Sequence, residues 1–572
     1  MRPGELSDVE TRPHAAYNPF SLLGETAMLG PMSAEYDYIM IGSGSSGGIV
    51  ASRLSEDPTV RVLLLEAGGS DRTPLIRKPG MGGVVHMVKP LKKKLDWGFR
   101  TVPQAHMNGR RVPYTRGKVL GGSSSINGML YLRGHRQNYD DWAAEGCEGW
   151  SYEQVLPYFK KLESHEDGET AYHGARGPIR VTRHPADQVS PVSNAFLEAT
   201  SEVCGIPIGD DFNADNQHCA SMFHMSAADG VRCSVGECYV APATERANFQ
   251  VETRALVRRV VVDNGRATGV EYLRGSSTQF VRATREVIVS GGAIGSPQLL
   301  MLSGIGPAKH LREHGIEVEI DLPGVGQNLH DHLFVPITYR SPTSRHRGTA
   351  LHFLGGMIQE YLVGGGWFGR MNFEAGAFIK SEESAPIPDV QLHTMPWGYF
   401  TPNQDGPGTP DLDKGHCLSI LVTLIYPKSR GELRLSSDRP DQEPHIDPAF
   451  LAEPEDLELL MRAIRKTREI CTHRAMSGHI GEELSPGAAR ASDQELVEEI
   501  KLRGCTGYHP VGTCKMGVDP MAVVDPSLKV HGVEGLRVAD ASVMPSVPGG
   551  NTNAPCMMVG ERAAALILGQ AS

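Results

Sequence analysis

The chain has 572 residues, of which 40% are hydrophobic and 22% charged, the composition of a globular protein with at least two domains. Its net charge of -11 argues against a nucleic-acid partner, and no stretch reaches the roughly 18 apolar residues of a membrane span. Ten cysteines without a CxxC pair exclude a disulfide scaffold and the familiar zinc patterns, so we expect a cytoplasmic protein.

Regular structure is predicted to begin at residue 36. The first 33 residues show neither a sustained period nor the pattern of a signal peptide, and we expect them to form an N-terminal arm, 1–33. The segment 36–41 is a β-prone apolar run, 49–54 has helical spacing, and 60–65 is a second apolar run. This order of strand, helix and strand predicts a parallel sheet.

Later segments are candidates for the same sheet and for a second layer. The short apolar runs 286–290 and 536–539 are expected to add strands to the first sheet, with other segments inserted between them. A second, mixed α/β layer is predicted from helical and alternating patterns at 154–162, 191–204, 431–435 and 454–471.

A glycine-rich loop follows the first predicted strand. It has the pattern G-x-G-x-x-G, and the residues expected to hold a pyrophosphate are Gly42, Gly44, Ser45, Ser46 and Gly47. Nineteen residues after Gly47, at the end of the second strand, Glu66 could accept hydrogen bonds from a ribose. The pattern predicts dinucleotide binding but does not separate FAD from NAD.

Further segments resemble one known family. They are the glycine and serine loop 117–129, the block 292–306, the triplet 540–542, and the segments 508–513 and 551–553. In order, spacing and residue type they resemble the glucose-methanol-choline (GMC) oxidoreductases, nearest to choline and alkanol dehydrogenase-like bacterial members. The resemblance extends from residue 36 to residue 568.

The resemblance implies both a fold and a reaction. The fold is α/β, with a Rossmann-like FAD-binding domain of discontinuous segments, 34–150, 225–330 and 500–572. An α+β substrate domain with an antiparallel sheet takes the remaining segments, 151–224 and 331–499. The implied reaction is hydride transfer from a primary alcohol to flavin N5, followed by electron transfer to oxygen or to a quinone- or dye-type acceptor. Oxidase and dehydrogenase activity both remain open.

The resemblance also implies a set of cofactor contacts. Val257 matches a backbone contact to adenine, and Asp540 matches a contact near the pyrophosphate or ribityl chain. The residues implied along the rest of the flavin site are Trp97, Val119, Ser123, Asn127, Gly128, Met129, Leu130, Tyr508, Asn551 and Thr552. At Ile126 some members have a histidine bonded to the flavin, and since isoleucine cannot form that bond, we expect non-covalent FAD.

A base is needed because an alcohol releases a hydride more readily after its hydroxyl proton has left, and neutral imidazole suits this role. His509 matches the family's catalytic histidine. Forty-four residues later, Asn553 matches the second catalytic position, where we expect an amide donor that orients the substrate oxygen. The segment His330-Asp331-His332 alternates like a metal site, but it lacks further ligands and we expect no metal.

The substrate is predicted less sharply than the cofactor. Trp97, Glu374 and Tyr508 match positions where choline-oxidising relatives line the pocket for a quaternary ammonium, and the same residue types occur in alkanol-oxidising members. We favour a neutral or aromatic primary alcohol, because burying an unpaired carboxylate is costly. Choline-type oxidation, a lyase or photodecarboxylase reaction on the same fold, and FAD binding without turnover remain the alternatives. Most aromatic residues between Phe353 and Phe400 are expected to form the core of the substrate domain.

Overall fold

The computed structural model describes residues 35–81, 89–344, 350–362, 373–399 and 415–570. The predicted N-terminal arm, 1–33, lies outside these ranges. Within them, we find no helix that combines the length and the apolar character needed to cross a bilayer.

The predicted strand, helix and strand at the beginning of the fold are confirmed. They span Glu35–Ile41, Gly47–Leu54 and Val62–Glu66, and the two strands pair in parallel. The second strand is buried at every position, as its continuous apolar sequence requires for a strand covered on both faces.

This first sheet also takes strands from distant parts of the chain, as predicted. Ser277–Val289 pairs in parallel with Glu35–Ile41, and Leu536–Val538 pairs in parallel with Ser277–Val289. Phe249–Thr253 pairs with Val62–Glu66 on the other side. An antiparallel meander completes the sheet through its remaining strands, Arg266–Arg274 and Ala255–Asp263.

The second sheet is antiparallel, as the family resemblance implied. Its central strands, Leu333–Arg340 and Cys417–Leu424, pair along their full lengths and are buried at nearly every position. Its other strands are Glu483–Ser485, Val390–Met395, Ala375–Ile379, Ala220–Met222 and Cys505–Thr506.

The longer helices pack around these sheets. The predicted helices are confirmed at Tyr152–Leu162, Pro191–Cys204 and Pro454–Thr472, and the alternating stretch forms the short strand Glu432–Arg434. The other helices of eight or more residues are Arg136–Ala144, Gly292–Leu302, Ala350–Leu362, Asp493–Arg503 and Asn553–Ile567. Shorter helices are Pro74–Arg77, Pro79–Met81, Lys89–Leu95, Ala105–Met107, Gly122–Ser125, Ala186–Gln188, Gly236–Val240, Ala241–Ala243, Ala308–Glu313, Arg474–Met476 and Ala541–Val543. Shorter strands are Phe99–Arg100, Pro113–Tyr114, Glu163–His165, Ile179–Val181, Ala227–Ala228, Val231–Arg232, Ile305–Gly306, Ile320–Asp321 and His445–Asp447.

Candidate active site

A cavity of about 490 Å³ lies between the two sheets. On one side it is bounded by Ile41 and Leu65, near the carboxyl ends of parallel strands, where α/β folds bind their ligands. On the other side it is bounded by the second sheet, through His393 and Leu421. The cavity therefore joins the predicted dinucleotide loop to the segment that carries His509.

The loop 42–47 has the geometry that its glycines predict. At Gly42, φ is +96°, and a Cβ would lie 2.4 Å from the carbonyl oxygen of Ser290. A Cβ on Gly47 would lie 2.1 Å from the oxygen of Gly42, whereas a Cβ on Gly44 would meet nothing within 4 Å. Gly44 and Ser45 line the cavity, so the loop presents open backbone to a ligand. Ser46 and Gly47 belong to the helix start behind that wall.

Glu66 lies at the edge of this cavity and is only 5% exposed. One carboxylate oxygen accepts hydrogen bonds from the Ser43 amide at 3.0 Å and the Ser43 hydroxyl at 2.6 Å, and the other accepts from the Gly68 amide at 2.8 Å. Burial raises the pKa of Glu66 despite these donors. A carboxylate has about four acceptor sites, so one remains for a ribose hydroxyl. Val257 lines the same cavity.

The glycine and serine loop forms another wall. Ser123, Asn127, Gly128, Met129 and Leu130 all line the cavity, together with Trp97, Ile126, Tyr508, Asp540, Asn551 and Thr552. Val119 does not; it is fully buried and packs with Ile76, Leu95 and Ile126.

The Asp540 carboxylate fixes the beginning of the helix Gly292–Leu302. It accepts hydrogen bonds from the Gly292 amide at 2.8 Å, the Ser542 amide at 2.7 Å and the Ser296 hydroxyl. Burial raises the pKa of Asp540.

The cavity as a whole fits a long dinucleotide such as FAD. It offers open backbone at Gly44 and an acceptor at Glu66, and its lining continues to His509.

The backbone around His509 is held by several side chains. Tyr508 has φ of +63°, an uncommon conformation for a residue with a large side chain. Its carbonyl accepts a hydrogen bond from Arg116 Nη2 at 2.5 Å, and its amide donates to Thr506 Oγ1 at 2.8 Å. The His509 amide donates to Asp331 Oδ1 at 2.7 Å. These contacts aim the imidazole of His509 into the cavity, which it lines.

Both nitrogens of the His509 ring have partners. Nε2 lies 3.1 Å from Asn551 Nδ2, and Nδ1 lies 2.9 Å from Nδ1 of His332. Burial lowers the pKa of His509 well below its usual 6.5, and Arg116, His332 and His393 lower it further. The imidazole is therefore neutral at pH 7 and available as a base.

The asparagine that contacts His509 is Asn551, and not the predicted Asn553. Asn553 Oδ1 accepts a hydrogen bond from Ser45 Oγ at 2.7 Å, at the beginning of the helix Asn553–Ile567. Asn553 lines the cavity beside the dinucleotide loop, but it forms no hydrogen bond with His509 within the described structure. Asn551 therefore occupies the position beside the His509 ring, two residues before the asparagine expected to orient the substrate oxygen.

Glu374 is not part of the cavity wall, which corrects its assignment as a substrate residue. Its side chain is buried and accepts hydrogen bonds from the Ser190 amide at 3.0 Å and the Ser193 hydroxyl at 2.6 Å. The Ser190 hydroxyl donates a further bond at 3.1 Å. The carboxylate thereby caps the helix Pro191–Cys204, where negative charge is favourable. The preceding residue, Phe373, faces the cavity instead.

In the segment His330-Asp331-His332, Asp331 and His332 contact the His509 loop, whereas the His330 ring does not. His330 Nδ1 lies 2.7 Å from the Asn328 carbonyl, and its Nε2 accepts from the Val547 amide at 3.0 Å. Asp331 holds the backbone of His509, and its other carboxylate oxygen accepts from Thr506. From the sequence these residues were interpreted only as possible metal ligands, and the contacts of Asp331 and His332 with the His509 loop were missed.

Aromatic rings form the wall around His509. The aromatic side chains that line this part of the cavity are Phe334, Phe373, Trp397, Tyr399 and Tyr508. Several of the aromatic residues predicted to be core line the cavity instead, while Phe378 is fully buried and Trp367 and Phe368 lie outside the described residues. Among the described residues that line the cavity, the carboxylates are Glu66 and Asp540.

A dinucleotide loop with a ribose acceptor, facing a buried neutral histidine, defines a dinucleotide-dependent oxidoreductase. Residues 36–334 and 427–560 match the N- and C-terminal parts of the GMC oxidoreductase family, and the chain belongs to this family. It is accordingly an FAD-dependent oxidoreductase that acts on CH–OH donors, as the resemblance implied.

Individual relatives cover nearly the whole chain. An oxygen-dependent choline dehydrogenase of Rhizobium etli is 42% identical over 540 residues, which are 93% of this chain and 96% of that protein. Its counterpart in Photobacterium profundum is 40% identical over 548 residues, or 94% of each chain. Among solved structures, pyridoxine 4-oxidase from Mesorbium loti has a TM-score of 0.82 at 30% identity, covering 92% of this chain and 98% of that one. A fungal aryl-alcohol oxidase has a TM-score of 0.82 at 26% identity, covering 94% and 100%.

Proposed function

We propose that this enzyme oxidises a primary alcohol to an aldehyde, with His509 Nε2 as the base and Asn551 as the hydrogen-bond donor to the substrate oxygen. The observation that supports this most directly is the contact of 3.1 Å between Asn551 Nδ2 and His509 Nε2 inside the cavity. An alcohol oxygen placed beside both groups would give its proton to Nε2 and accept a hydrogen bond from Nδ2.

The protein groups act on the proton of the substrate. The neutral His509 ring removes the hydroxyl proton and becomes an imidazolium, which prepares the carbinol carbon to release a hydride. The Asn551 amide stabilises the negative charge that develops on the oxygen. When bound, FAD supplies the acceptor for the hydride.

We propose that the alcohol is neutral and carries an apolar or aromatic group. The rings of Phe334, Phe373 and Tyr399 surround the reacting end of the cavity. Glu374, the carboxylate expected to attract a cation, is hydrogen bonded to Ser190 and Ser193 and does not line the cavity. The wall around His509 therefore favours apolar contact over charge pairing.

A quaternary ammonium alcohol is the second candidate. The relatives with 40 to 42% identity are named choline dehydrogenases, and aromatic rings alone attract a cation by about 0.5 to 2 kcal/mol. Trp97, Trp397 and Tyr508 supply such rings in the cavity.

A comparison of kcat/KM for choline and for 3,3-dimethylbutan-1-ol, its neutral isostere, tests the substrate proposal. We expect the neutral alcohol to be used equally well or better. The variant Glu374→Gln is the matched control, and it should leave the ratio unchanged because this carboxylate does not face the cavity. A clear preference for choline would overturn the proposal, and loss of that preference in Glu374→Gln would show that Glu374 reaches the substrate.

Oxygen or a quinone-type acceptor is proposed to reoxidise the flavin. Anaerobic addition of the alcohol should bleach the flavin absorbance stoichiometrically, and admission of oxygen or a dye acceptor should restore it. Flavin that stays oxidised with every alcohol tested would instead favour a lyase or photodecarboxylase reaction. We also propose a cytoplasmic location, since ten cysteines in 572 residues, without a CxxC pair, are too few for a disulfide scaffold.

A further inference from the structure

The second ring nitrogen of His509 faces another histidine. His332 Nδ1 lies 2.9 Å from His509 Nδ1, and the two rings are nearly perpendicular, with an interplanar angle of 81°. His332 is completely buried and immediately precedes the strand Leu333–Arg340. Two nitrogens at this distance must share a single proton, because one has to donate and the other has to accept.

The position of that proton follows from Asn551. The Asn551 oxygen accepts a hydrogen bond from Gln391 Nε2 at 3.3 Å, and the Asn551 NH2 is placed toward His509 Nε2. The Gln391 oxygen has no hydrogen-bond partner among the described residues. His509 Nε2 is therefore an acceptor, and a neutral ring then has its proton on Nδ1. His509 Nδ1–H consequently donates to His332 Nδ1. The proton of His332 is then on Nε2, a buried nitrogen that has no hydrogen-bond partner among the described residues.

We propose that His332 is a positioning residue that keeps the proton of His509 on Nδ1 and so leaves Nε2 free to accept the proton of the alcohol. This inference rests on the proposed role of His509 as the base. The same contact stabilises the imidazolium after proton transfer, because Nδ1–H continues to donate to His332. His332 takes no proton and touches neither the alcohol nor the cavity.

The charged and titratable groups around the pair agree with this assignment. Arg116 and His393 face His509, and the Asp331 carboxylate accepts the His509 backbone amide and not the ring. Burial lowers the pKa of His332 to about 3 and that of His393 to about 4, so both stay neutral at pH 7.

Nitrogen NMR of the FAD-loaded protein labelled with ¹⁵N-histidine tests the proton position directly, with His509→Ala identifying the signals. At neutral pH we expect a protonated Nδ1 and an unprotonated Nε2 in His509. The reverse assignment would overturn the inference, whatever the rate of the enzyme. This readout does not depend on turnover.

A variant series tests the consequence for the reaction. In His332→Leu the acceptor is lost, and we expect the rate of anaerobic flavin reduction to fall about 10- to 100-fold, the range found when an outer hydrogen-bond partner of a metal-binding histidine is removed. His332→Asn should recover most of this loss, because its side-chain oxygen can take the place of Nδ1. His332→Asp should raise the apparent pKa of the rate by about one unit or more, since an opposite charge favours the imidazolium.

His330→Leu is the matched control, because it removes a buried imidazole from the same segment without touching His509. It should lower the melting temperature but leave the pH profile unchanged. A His332→Leu variant with the rate and pH profile of the parent would refute the inference. By contrast, parental flavin reduction in His509→Ala would refute the proposed base itself, so the two failures are distinguishable.

Discussion

Asn551 and Asn553 are two residues apart and have different partners, so replacing each with alanine separates two roles that the sequence could not assign. Asn551→Ala removes the donor 3.1 Å from His509 Nε2. Asn553→Ala removes the acceptor of the Ser45 hydroxyl, 2.7 Å away in the dinucleotide loop. We expect the first variant to impair the reaction and the second to affect the cofactor.

The expected loss of reduction rate in Asn551→Ala is larger than the expected loss of FAD affinity in Asn553→Ala. Removing one donor from the position where an oxyanion develops costs about 10²- to 10³-fold in kcat. A neutral hydrogen bond in the resting protein contributes only about 0.5 to 1.5 kcal/mol, or roughly two- to twelvefold in an equilibrium constant. Asn551→Ala should therefore slow flavin reduction at least about 100-fold. Asn553→Ala should weaken FAD binding by no more than about tenfold, with little change in the reduction rate.

Anaerobic stopped-flow measurement of flavin absorbance gives the reduction rate at saturating alcohol, and titration of the apoprotein gives the FAD dissociation constant. Both variants should be loaded fully with FAD before the rates are compared, and melting curves check that each is folded. If Asn553→Ala reduces its flavin as slowly as Asn551→Ala, or more slowly, the assignment of Asn551 as the donor is wrong.

Three further predictions concern the cofactor and the buried histidines. Acid precipitation with trichloroacetic acid should release FAD into the supernatant, because Ile126 cannot form the histidyl bond; flavin in the pellet would contradict this. Glu66→Ala should raise the FAD dissociation constant by about 10- to 150-fold, since a charge-assisted hydrogen bond contributes about 1.5 to 3 kcal/mol; an unchanged constant would place Glu66 away from the ribose. Burial lowers the pKa values of His330 and His332 to about 3, so the unfolded chain binds more protons below about pH 6.5. The free energy of unfolding should then fall by up to about 1.4 kcal/mol per pH unit for each ring as the pH drops; equilibrium denaturation between pH 7.5 and 5 measures this, and a pH-independent value would refute it.

The sheet that carries the cofactor site was predictable because its strands are continuous apolar runs. A parallel strand covered on both faces must be apolar throughout, so 36–41, 60–65, 286–290 and 536–539 were all recognisable although hundreds of residues separate them. The dinucleotide loop was predictable for a related reason. Gly42 and Gly47 fill positions where a side chain would collide with backbone, and that requirement is visible in the sequence itself.

The partner of His509 was not predictable in the same way. Asn551 and Asn553 have the same side chain, and both line the cavity. Their directions depend on the turn that precedes the helix Asn553–Ile567, and on Gln391 and Ser45, which contact them from far along the chain. Such long-range contacts leave no periodic signal. His332 was missed for the same reason, since its partner lies 177 residues away.

Glu374 differs from Asn551 and His332, because short sequence patterns indicate that its side chain caps a helix and does not line the cavity. Neighbouring residues in an extended segment tend to point to opposite sides, and Phe373 lines the cavity whereas Glu374 does not. Ser190, followed by Pro191 and Ser193, has the sequence of a helix start, with amide and hydroxyl donors suited to a carboxylate. A buried carboxylate satisfied by such donors adds to stability instead of attracting a cation. We therefore expect any preference of this enzyme for a cationic alcohol to come from aromatic rings, each of which contributes about two- to thirtyfold.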